Sequence, residues 1–394
     1  MQTSLADFIR DTPEGREAEA ILRKCVHCGF CTATCPSYQV LGDDLDSPRG
    51  RIYLMKRALE GAPVTEKTRL HLDRCLTCRA CETTCPSGVQ YGRLVDIGRA
   101  LVEERTHRSV RDRLYRSALS FGLPRKWLFT PALRLAQLLG LQPRSRAAGA
   151  WPAARHARRV IALAGCVQPA LAPSINAAAA RVLDRVGISL LEVPGAGCCG
   201  GIRFHLNEQE AGREDMRSLI DAWWPLVAGT DFEAIVMTAS GCGVTVKEYG
   251  HYLALDPQYR GKAERISSLT VDLSEVIDPA ALPQRPKRAR VAFHSPCTLQ
   301  HGQRVTGRVE ALLQRAGYEL VPVRDAHLCC GSAGTYSLLH PRIADELRAR
   351  KLQSLEADAP ELIATANIGC LTHLQVKSRA PVRHWIELVD AALA

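Results

Sequence analysis

The sequence lacks the features that define several large classes of protein. No run of eighteen uncharged apolar residues occurs among its 394 residues, so no transmembrane helix is predicted. The first twenty residues contain no apolar signal-peptide core, and we therefore expect a cytoplasmic protein. The sequence has no P-loop, no G-x-G-x-x-G at a strand-to-helix turn, and no Ser, His and Asp set that spacing would single out. No catalytic residue is predicted in this chain.

Aromatic residues are also scarce, at 5% of the chain. They are sparse in the basic part of the sequence, which contains no known nucleic-acid-binding module, so nucleic acid is not an expected partner. Hydrophobic residues make up 46% of the chain, which is enough for a folded protein. Because 394 residues exceed the size of one ordinary hydrophobic core, two or three domains are expected.

Cysteine, by contrast, is abundant, with sixteen residues. In a reducing cytoplasm such a number indicates metal sites rather than disulfides. Two runs have the pattern C-x2-C-x2-C-x3-C-P; they comprise Cys25, Cys28, Cys31 and Cys35, and Cys75, Cys78, Cys81 and Cys85. This pattern is typical of [4Fe-4S] ligation, whereas a zinc site would have two separated pairs, often with histidine. The sequence therefore predicts two [4Fe-4S] clusters and a role in electron transfer.

The fourth cysteine of such a run usually binds the cluster of the other run. One cluster is therefore expected to be bound by Cys25, Cys28, Cys31 and Cys85. The other is expected to be bound by Cys75, Cys78, Cys81 and Cys35. His27 lies inside the first run and is expected to pack against the cluster or to tune it by hydrogen bonding.

The C-terminal eight cysteines belong to an internal duplication with a period of 131 residues. The first set comprises Cys166, Cys198, Cys199 and Cys242, and the second comprises Cys297, Cys329, Cys330 and Cys370. In each set the adjacent pair begins 32 positions after the first cysteine. A period this long is too large for a solenoid, so it indicates one domain copied once.

In each copy the cysteines follow predicted strands that alternate with helices. The predicted strands are IALA, SLLEV and AIVMTA in the first copy and VAFH, ELVPV and LIATA in the second. This alternation indicates a parallel sheet, whose ligands collect beyond the carboxyl ends of the strands. Each set of four cysteines should therefore converge. Four thiolates there could bind a further iron–sulfur cluster or zinc, or form a redox-active thiol pair; buried, inert cysteines are the plainer alternative.

The positive charge of the chain is concentrated in one segment. Residues 99–159 contain fourteen Lys and Arg against three Asp and Glu, whereas the whole chain has a net charge of +10. Apolar residues between these charges predict basic amphipathic helices broken near Pro124, Pro131 and Pro143. Such a segment could lie on an anionic membrane surface, bind a partner, or serve as a solvated linker.

Taken together, these motifs resemble those of a known family. The repeated pattern C-x(n)-CCG-x(n)-GC resembles the cysteine-rich CCG domains of heterodisulfide reductases and of respiratory iron–sulfur proteins. With the N-terminal runs, the chain is similar to the iron–sulfur subunits of glycolate oxidase, anaerobic glycerol-3-phosphate dehydrogenase and lactate utilisation complexes. The strings HLNEQEAG (205–212), DAWWP (221–225) and TASGCGVTVKEYG (238–250) look most like those of glycolate oxidase iron–sulfur subunits.

The resemblance implies a subunit of an oxidoreductase rather than a complete enzyme. Its implied partners are FAD-containing dehydrogenase subunits, which oxidise glycolate to glyoxylate, and membrane quinone, toward which this chain would pass electrons. The implied location is the inner face of the cytoplasmic membrane, with peripheral attachment. Alternatives are an iron–sulfur subunit for another 2-hydroxyacid or for glycerol 3-phosphate, a heterodisulfide-reductase-like thiol-disulfide enzyme, and a noncatalytic iron–sulfur sensor or scaffold.

The sequence departs from the resembled pattern at one position in each copy. Five-cysteine CCG domains, which hold a noncubane cluster, end in C-x-x-C, but here Thr245 and His373 occupy the last position. A noncubane cluster is therefore not expected in either copy, and a four-thiolate cluster or zinc stays open. His373 could instead act as a nitrogen ligand, or lie at the surface or in the packing. His294 and His327 lie near cysteines in sequence, and a role beside the metal or facing quinone is considered for both.

The expected fold is multidomain, with an α-helical dicluster ferredoxin-like domain followed by two duplicated α/β CCG domains with parallel sheets. The predicted boundaries are 1–110 for the ferredoxin-like domain and 111–157 for a basic helical linker. The first CCG domain is predicted at 158–285 and the second at 286–394.

Overall fold

The computed structural model describes residues 1–229 and 231–394, which form two compact units. The first unit consists of Met1–Tyr115 and His327–Lys351, and the second of Arg116–Ala326 and Leu352–Ala394. The units therefore divide the chain differently from the predicted domains. Residues 327–351, which the sequence assigns to the second CCG domain, fold with the N-terminal residues.

The helices and strands are numbered along the chain. The helices are α1 (Asp7–Arg10), α2 (Pro13–Lys24), α3 (Pro36–Leu41), α4 (Pro48–Leu59), α5 (Glu66–Asp73), α6 (Ala80–Thr84), α7 (Tyr91–Arg105), α8 (Val110–Gly122), α9 (Lys126–Leu138), α10 (Gln168–Leu171), α11 (Ser174–Arg185), α12 (Gly201–His205), α13 (Gln209–Val227), α14 (Ser240–Lys247), α15 (Tyr249–Tyr252), α16 (Arg260–Leu269), α17 (Leu273–Val276), α18 (Arg308–Arg315), α19 (Tyr336–Leu339), α20 (Pro341–Leu355), α21 (Ile368–Gln375) and α22 (Trp385–Leu393). The strands are β1 (Arg158–Ala162), β2 (Ile188–Glu192), β3 (Ala234–Met237), β4 (Thr270–Asp272), β5 (Arg290–His294), β6 (Glu319–Val321), β7 (Leu362–Thr365) and β8 (Val382–His384).

Helices build the N-terminal part of the first unit. The helix α4 begins at a Ser47 cap, whose side chain accepts a hydrogen bond from the Gly50 N–H, and Pro48 occupies its first turn. Its apolar face packs against α7, where a Cβ atom at Gly98 would lie 2.4 Å from the Met55 Sδ. Because only glycine leaves room for Met55, this position sets the close approach of the two helices. The expected α-helical, ferredoxin-like architecture is confirmed.

Each cysteine-rich copy contains a four-stranded parallel sheet. The strand orders are β2-β1-β3-β4 and β6-β5-β7-β8. Every strand pair is parallel, as the alternation of strands and helices predicts. The three strands predicted for each copy are present, and each sheet gains a fourth strand, β4 or β8, that was not predicted. The duplicated α/β fold is confirmed.

The two copies share one hydrophobic core in the second unit. Residues of both sheets, such as Val160 and Val291, belong to a single buried cluster that includes Trp385. The helices α11 and α22 pack against each other, and the Arg181 guanidinium forms a 2.6 Å ion pair with Asp390 across their contact. The copies are therefore joined through apolar packing rather than through a linker alone.

A capped helix follows the fourth strand of each sheet. Asp272 ends β4 and caps α17, where its carboxylate accepts hydrogen bonds from the Ser274 N–H and hydroxyl. His384 ends β8 and caps α22, where its Nδ1 accepts from the Ile386 N–H and its Nε2 lies 2.9 Å from the Thr238 carbonyl oxygen. Both caps are buried, so both side chains need these partners.

The basic segment forms helices between the cysteine regions. A break falls at Pro124, between α8 and α9, as predicted. The predicted break at Pro131 is wrong, because α9 continues through this residue and ends at Leu138. Within the described residues, no helix is both long and apolar enough to cross a membrane.

Candidate metal centres

The two N-terminal cysteine runs form loops with matching backbone conformations. In the first loop His27 and Gly29 have φ angles of 59° and 88°, and in the second Thr77 and Arg79 have φ angles of 50° and 60°. Left-handed backbone is uncommon outside glycine, so its repetition at matching positions shows that both loops are shaped alike. In the second loop this conformation lets the Thr77 N–H donate a 3.4 Å hydrogen bond to the Cys75 Sγ. The loops thus direct backbone donors toward sulfur.

A first centre, defined by Cys25, Cys28, Cys31 and Cys85, lines one cavity, which Cys81 of the other set also reaches. Burial raises the pKa of Cys25 above its ordinary value. Burial and the neighbouring Cys25 raise the pKa of Cys31 to about 11. The residue Cys28 is exposed, so the centre reaches the protein surface. Three cysteines of one run and the last cysteine of the other form a four-thiol donor set, which fits a [4Fe-4S] cluster.

A second centre, defined by Cys35, Cys75, Cys78 and Cys81, lies in the same unit. Burial raises the pKa of Cys81 well above its ordinary value, and the neighbouring Cys78, Cys75 and Cys35 raise it further. Burial also raises the pKa of Cys35, although the Arg51 guanidinium opposes this effect. These four thiols provide the second donor set for a [4Fe-4S] cluster. We propose both sets as the cluster ligands.

A buried arginine, which no sequence pattern singles out, reaches the second centre. Arg51 on α4 is 1% exposed, and its Nη1 lies 4.0 Å from the Cys35 Sγ and donates a 3.0 Å hydrogen bond to the Ser37 hydroxyl. Its Nε donates to the His71 carbonyl oxygen at 2.6 Å, and its Nη2 forms a 3.3 Å ion pair with Asp46. All sides of the guanidinium are thus held, which fixes its position beside the sulfur.

Part of the second cysteine-rich copy also reaches the second centre. The Tyr336 hydroxyl donates a 3.0 Å hydrogen bond to the Arg74 carbonyl oxygen. Burial raises the pKa of this tyrosine, which lies close enough to Cys75 and Cys329 to feel the charge of both. Residues 327–351 therefore connect the pair Cys329 and Cys330 to the N-terminal cysteines within the first unit.

The structure brings together the four thiols of the first cysteine-rich copy. Cys166 follows β1, the pair Cys198 and Cys199 follows β2, and Cys242 lies in α14 after β3. The thiols form a chain in which Cys198 shares hydrogen bonds with Cys166 and Cys199, and Cys199 shares one with Cys242. The hydrogen bond with Cys198 and burial raise the pKa of Cys166 well above its ordinary value. This four-sulfur arrangement fits a four-thiolate iron–sulfur cluster or zinc.

The position of the missing fifth thiolate is occupied by Thr245 in this copy. Its hydroxyl donates a 3.2 Å hydrogen bond to the Gly241 carbonyl oxygen. A Cβ atom at Gly201 would lie 3.0 Å from this hydroxyl and 3.5 Å from the Cys199 Sγ, so the threonine lies beside the site. Threonine supplies no sulfur, and its hydroxyl is bound to the backbone. The donor set of this copy therefore consists of four thiols.

A glycine follows each adjacent cysteine pair for a steric reason. Gly200 and Gly331 have φ angles of 83° and 92°. A Cβ atom would lie 2.5 Å from the Gly212 carbonyl oxygen in the first copy and 2.6 Å from the Ala344 carbonyl oxygen in the second. Both glycines are therefore required by a left-handed backbone and by a close helix approach.

The second cysteine set is divided between the two units. Cys329 and Cys330 fold with the first unit, where the Gly331 N–H donates a 3.4 Å hydrogen bond to the Cys329 Sγ. Cys297 and Cys370 belong to the second unit, where the Asn367 Nδ2 lies 3.7 Å from the Cys370 Sγ. Cys297 immediately precedes a π-helical turn, Thr298–Gly302. Convergence of all four stays a prediction.

The histidines considered in the sequence occupy different environments. His205 ends α12 and His301 lies in the π-helical turn, whereas His294 ends β5 and is buried. His327 is the first residue of the second segment of the first unit. His373 lies on α21 and is 8% exposed, which excludes the surface role and leaves packing or ligation.

Comparison with families of known proteins agrees with this geometry. The model of the 4Fe-4S dicluster domain matches residues 21–89, and that of the cysteine-rich CCG domain matches residues 160–247 and 291–375. The first match contains all eight N-terminal cysteines, and the second contains both C-terminal sets. The chain is thus an iron–sulfur protein with a dicluster domain and two cysteine-rich domains.

Similarity to curated proteins extends over the full chain. It is 53% identical to the glycolate oxidase iron–sulfur subunit of Escherichia coli, with 100% of this chain and 99% of that protein covered. It is 28% identical to a probable glycolate oxidase iron–sulfur subunit of Bacillus subtilis, with 92% and 90% covered. The chain belongs to the family of glycolate oxidase iron–sulfur subunits. A lactate utilization protein A of Geobacillus thermodenitrificans is 26% identical and matches 51% of this chain and 83% of that protein.

The fold is also found among solved structures. A hypothetical protein from Helicobacter pylori superposes with a TM-score of 0.54 at 10% identity, and the match covers 97% of this chain and 73% of that protein. At this identity the likeness concerns the arrangement of helices and strands alone.

Proposed function

We propose that this chain is the electron-transferring subunit of a glycolate-oxidising complex (a glycolate dehydrogenase). An FAD-containing partner subunit would oxidise glycolate to glyoxylate, and this chain would pass the electrons toward membrane quinone. The observation that carries the proposal is the pair of four-thiol centres within one unit, together with the full-length similarity to the Escherichia coli subunit.

The residues of this chain bind and shield the cofactors in this proposal. When bound, two [4Fe-4S] clusters supply one-electron carriers, which link a two-electron flavin donor to quinone. Cys28 is exposed in the first centre, and the nearby Val26 is 69% exposed. Electron transfer between proteins requires a cofactor near the surface, so the first centre is the proposed contact with the flavin subunit.

Replacement of one exposed ligand tests this role. In the purified complex, Cys28→Ser should abolish quinone reduction by glycolate while bleaching of the flavin by glycolate proceeds at the rate of the unmodified complex. Val26→Ala is the matched control, because it alters the same exposed loop without removing a thiol. Quinone reduction at the full rate in the Cys28→Ser complex would overturn the proposed electron path.

The substrate is tested with the same complex. Glycolate, lactate and glycerol 3-phosphate should be supplied separately, with flavin bleaching as the measurement. The proposal expects glycolate to reduce the flavin fastest. A preference for lactate or glycerol 3-phosphate would assign the chain to a different dehydrogenase and leave its electron-transferring role intact.

The thiol-disulfide alternative has less support from the structure. An attacking cysteine needs an accessible thiolate, which a lowered pKa provides. Cys198 and Cys199 are buried, and their pKa values are raised well above the ordinary value, although Cys198 accepts a hydrogen bond from Cys166 that opposes the rise. These thiols are therefore suited to metal binding rather than to nucleophilic attack. Turnover of a disulfide by the isolated chain would favour the alternative.

Membrane attachment at the cytoplasmic face is a further part of the proposal. The helix α9 exposes Trp127 and Leu138, at 67% and 78%, together with Leu135 and the cationic Arg134. An exposed apolar face with basic residues is typical of helices that lie in the interface of an anionic bilayer. The contact would be peripheral.

Vesicle sedimentation tests the attachment. The complex should pellet with vesicles that contain anionic phospholipid, and the double variant W127S/L138S should lose most of this binding. Leu255→Ser is the matched control, since Leu255 is another exposed leucine of the second unit. Equal pelleting of W127S/L138S and the control would remove α9 from the membrane contact. Release of the unmodified complex by salt would show that charge contributes.

A further inference from the structure

The same helix presents an arginine to each of the two N-terminal centres, and the two arginines differ in burial. Arg49 and Arg51 lie two residues apart on α4. Arg49 is partly exposed beside the first centre, where a Cβ atom at Gly29 would lie 3.0 Å from its Nη1, and it is paired with Asp44 at 2.9 Å. Arg51 is fully buried beside the second centre. One helix therefore presents a partly exposed, ion-paired arginine to one centre and a buried arginine to the other.

Further positive charge surrounds the second centre. Arg74 forms a 2.8 Å ion pair with Asp46, which is the same carboxylate that pairs with Arg51. Arg99, which is also buried, donates a 2.7 Å hydrogen bond to the Cys75 carbonyl oxygen. Arg51 and Arg74 share one carboxylate, so the net charge of these three groups is positive. At the first centre the pair of Arg49 with Asp44 is neutral. The Met1 ammonium, which donates a 2.7 Å hydrogen bond to the Cys25 carbonyl oxygen, is the counterpart of Arg99 there.

Two hydroxyl groups lie beside thiols of the second centre. The Ser37 hydroxyl lies 3.3 Å from the Cys35 Sγ, while it also receives the Arg51 hydrogen bond. The buried Tyr91 hydroxyl lies beside the Cys75 thiol. Hydrogen bonds and positive charge near the sulfurs favour the more negative, reduced form of an iron–sulfur centre, whereas burial alone disfavours it. At the second centre the positive charge of the buried Arg51 therefore outweighs the effect of burial and favours the reduced form.

We infer that Arg51, held by Asp46 and Ser37 against Cys35, raises the reduction potential of the second centre above that of the first. A single electron added to the chain then resides on the centre of Cys35, Cys75, Cys78 and Cys81, while the exposed first centre is the transient carrier. Arg51 is a positioning residue in this inference, because it acts on the ligand sulfur and its surroundings. The inference rests on the ligand assignment proposed above.

A redox titration followed by electron paramagnetic resonance tests the inference. The anaerobically purified chain is reduced stepwise with dithionite, which donates single electrons, and Cys28→Ala serves to assign the signal of the second centre. In the unmodified chain the second centre should be reduced first. Arg51→Met should lower the equilibrium preference for the second centre by about tenfold, which corresponds to about 59 mV for one electron. Arg51→Lys should retain most of the preference.

Arg49→Met is the matched control, because it removes a partly exposed arginine of the same helix that lies beside the first centre. It should leave the second centre unchanged. An unchanged potential of the second centre in Arg51→Met, or reduction of the first centre before the second in the unmodified chain, would overturn the inference.

Iron analysis distinguishes a change in the reduction potential of the second centre from a loss of its cluster. Retention of iron in Arg51→Met makes the potential the deciding measurement. If Arg51→Met loses iron, Arg74→Met replaces it, since Arg74 carries another positive charge of the same network at a partly exposed position. A fall in the second-centre preference in Arg74→Met would then support the inference, and an unchanged preference would overturn it.

Discussion

The two cysteine-rich copies share a scaffold but differ where the fourth strand ends. Asp272 caps the following helix in the first copy, and His384 does so in the second. In both copies a glutamate three residues later, Glu275 or Glu387, completes a capping box. The geometry of the cap is thus the same, whereas an acid in one copy is replaced by a base in the other.

This exchange gives the copies opposite responses to pH. Burial raises the pKa of Asp272 to about 6, although hydrogen bonds from Ser274 lower it. Burial lowers the pKa of His384 to about 4, although the nearby Glu387 raises it. In both cases burial favours the uncharged side chain. The difference shows that a duplicated fold can keep a hydrogen-bonding geometry while the sign of its pH dependence is reversed.

The largest expected difference between the copies concerns metal content. Cys199→Ser should remove one centre from the first copy, which is a loss of four iron atoms or one zinc ion per chain, because its thiol lies between Cys198 and Cys242. Metal and sulfide analysis of the anaerobically purified protein provides the measurement, and Thr245→Ser is the control beside the site. Unchanged metal content would show that the first copy holds no metal, while the same analysis of Cys330→Ser would show whether the second copy is equivalent.

The next largest effect concerns His384. Since its folded pKa lies below the unfolded value of 6.5, its contribution to stability is present above pH 6.5 and is lost as the pH falls toward about 4. Between pH 7 and 5 the unmodified chain should lose about 2 kcal/mol more stability than His384→Asn. Urea unfolding followed by tryptophan fluorescence measures the difference. The control His107→Asn changes an exposed histidine and should lose as much stability as the unmodified chain. An equal loss of stability in His384→Asn and in the unmodified chain would contradict the prediction.

Asp272 should produce a smaller effect of opposite sign. Since its folded pKa is raised above the unfolded value of 3.8, its contribution is present below pH 3.8 and is lost as the pH rises through about 6. From pH 7 to 5 the unmodified chain should gain about 1 kcal/mol relative to Asp272→Asn, which keeps a capping side chain. The same unfolding experiment applies. If the stabilities of His384→Asn and Asp272→Asn, each relative to the unmodified chain, changed in the same direction between pH 7 and 5, the predicted contrast between the copies would be wrong.

Much of the scaffold follows from sequence patterns, because strands and helices alternate with a clear period. The fourth strands, β4 and β8, were not predicted, and the reason is their length. Each contains three residues, TVD or VRH, which is too short for an apolar run, and each gains its stability from pairing with β3 or β7. The N-terminal ligand loops were predictable as units, since cysteine spacing is a local property.

The surroundings of the second centre were not predictable from spacing. Arg51 lies in the sequence PRGRIYLMKRAL, where its neighbours Arg49, Lys56 and Arg57 suggest a solvated face. Its burial depends on Asp46, Ser37 and the His71 carbonyl, which tertiary folding brings to it. The placement of residues 327–351 in the first unit likewise depends on contacts between distant segments, such as that of Tyr336 with Arg74.

The discontinuous first unit has a consequence for biosynthesis. Its N-terminal part ends at Tyr115, but its remaining part begins at His327. A ribosome working at about 5–20 residues per second needs about 10 to 40 s to synthesise the intervening chain. During this interval the nascent cysteines of the second centre are made without Tyr336 and its neighbours. The first unit is therefore completed only after most of the second unit has been synthesised.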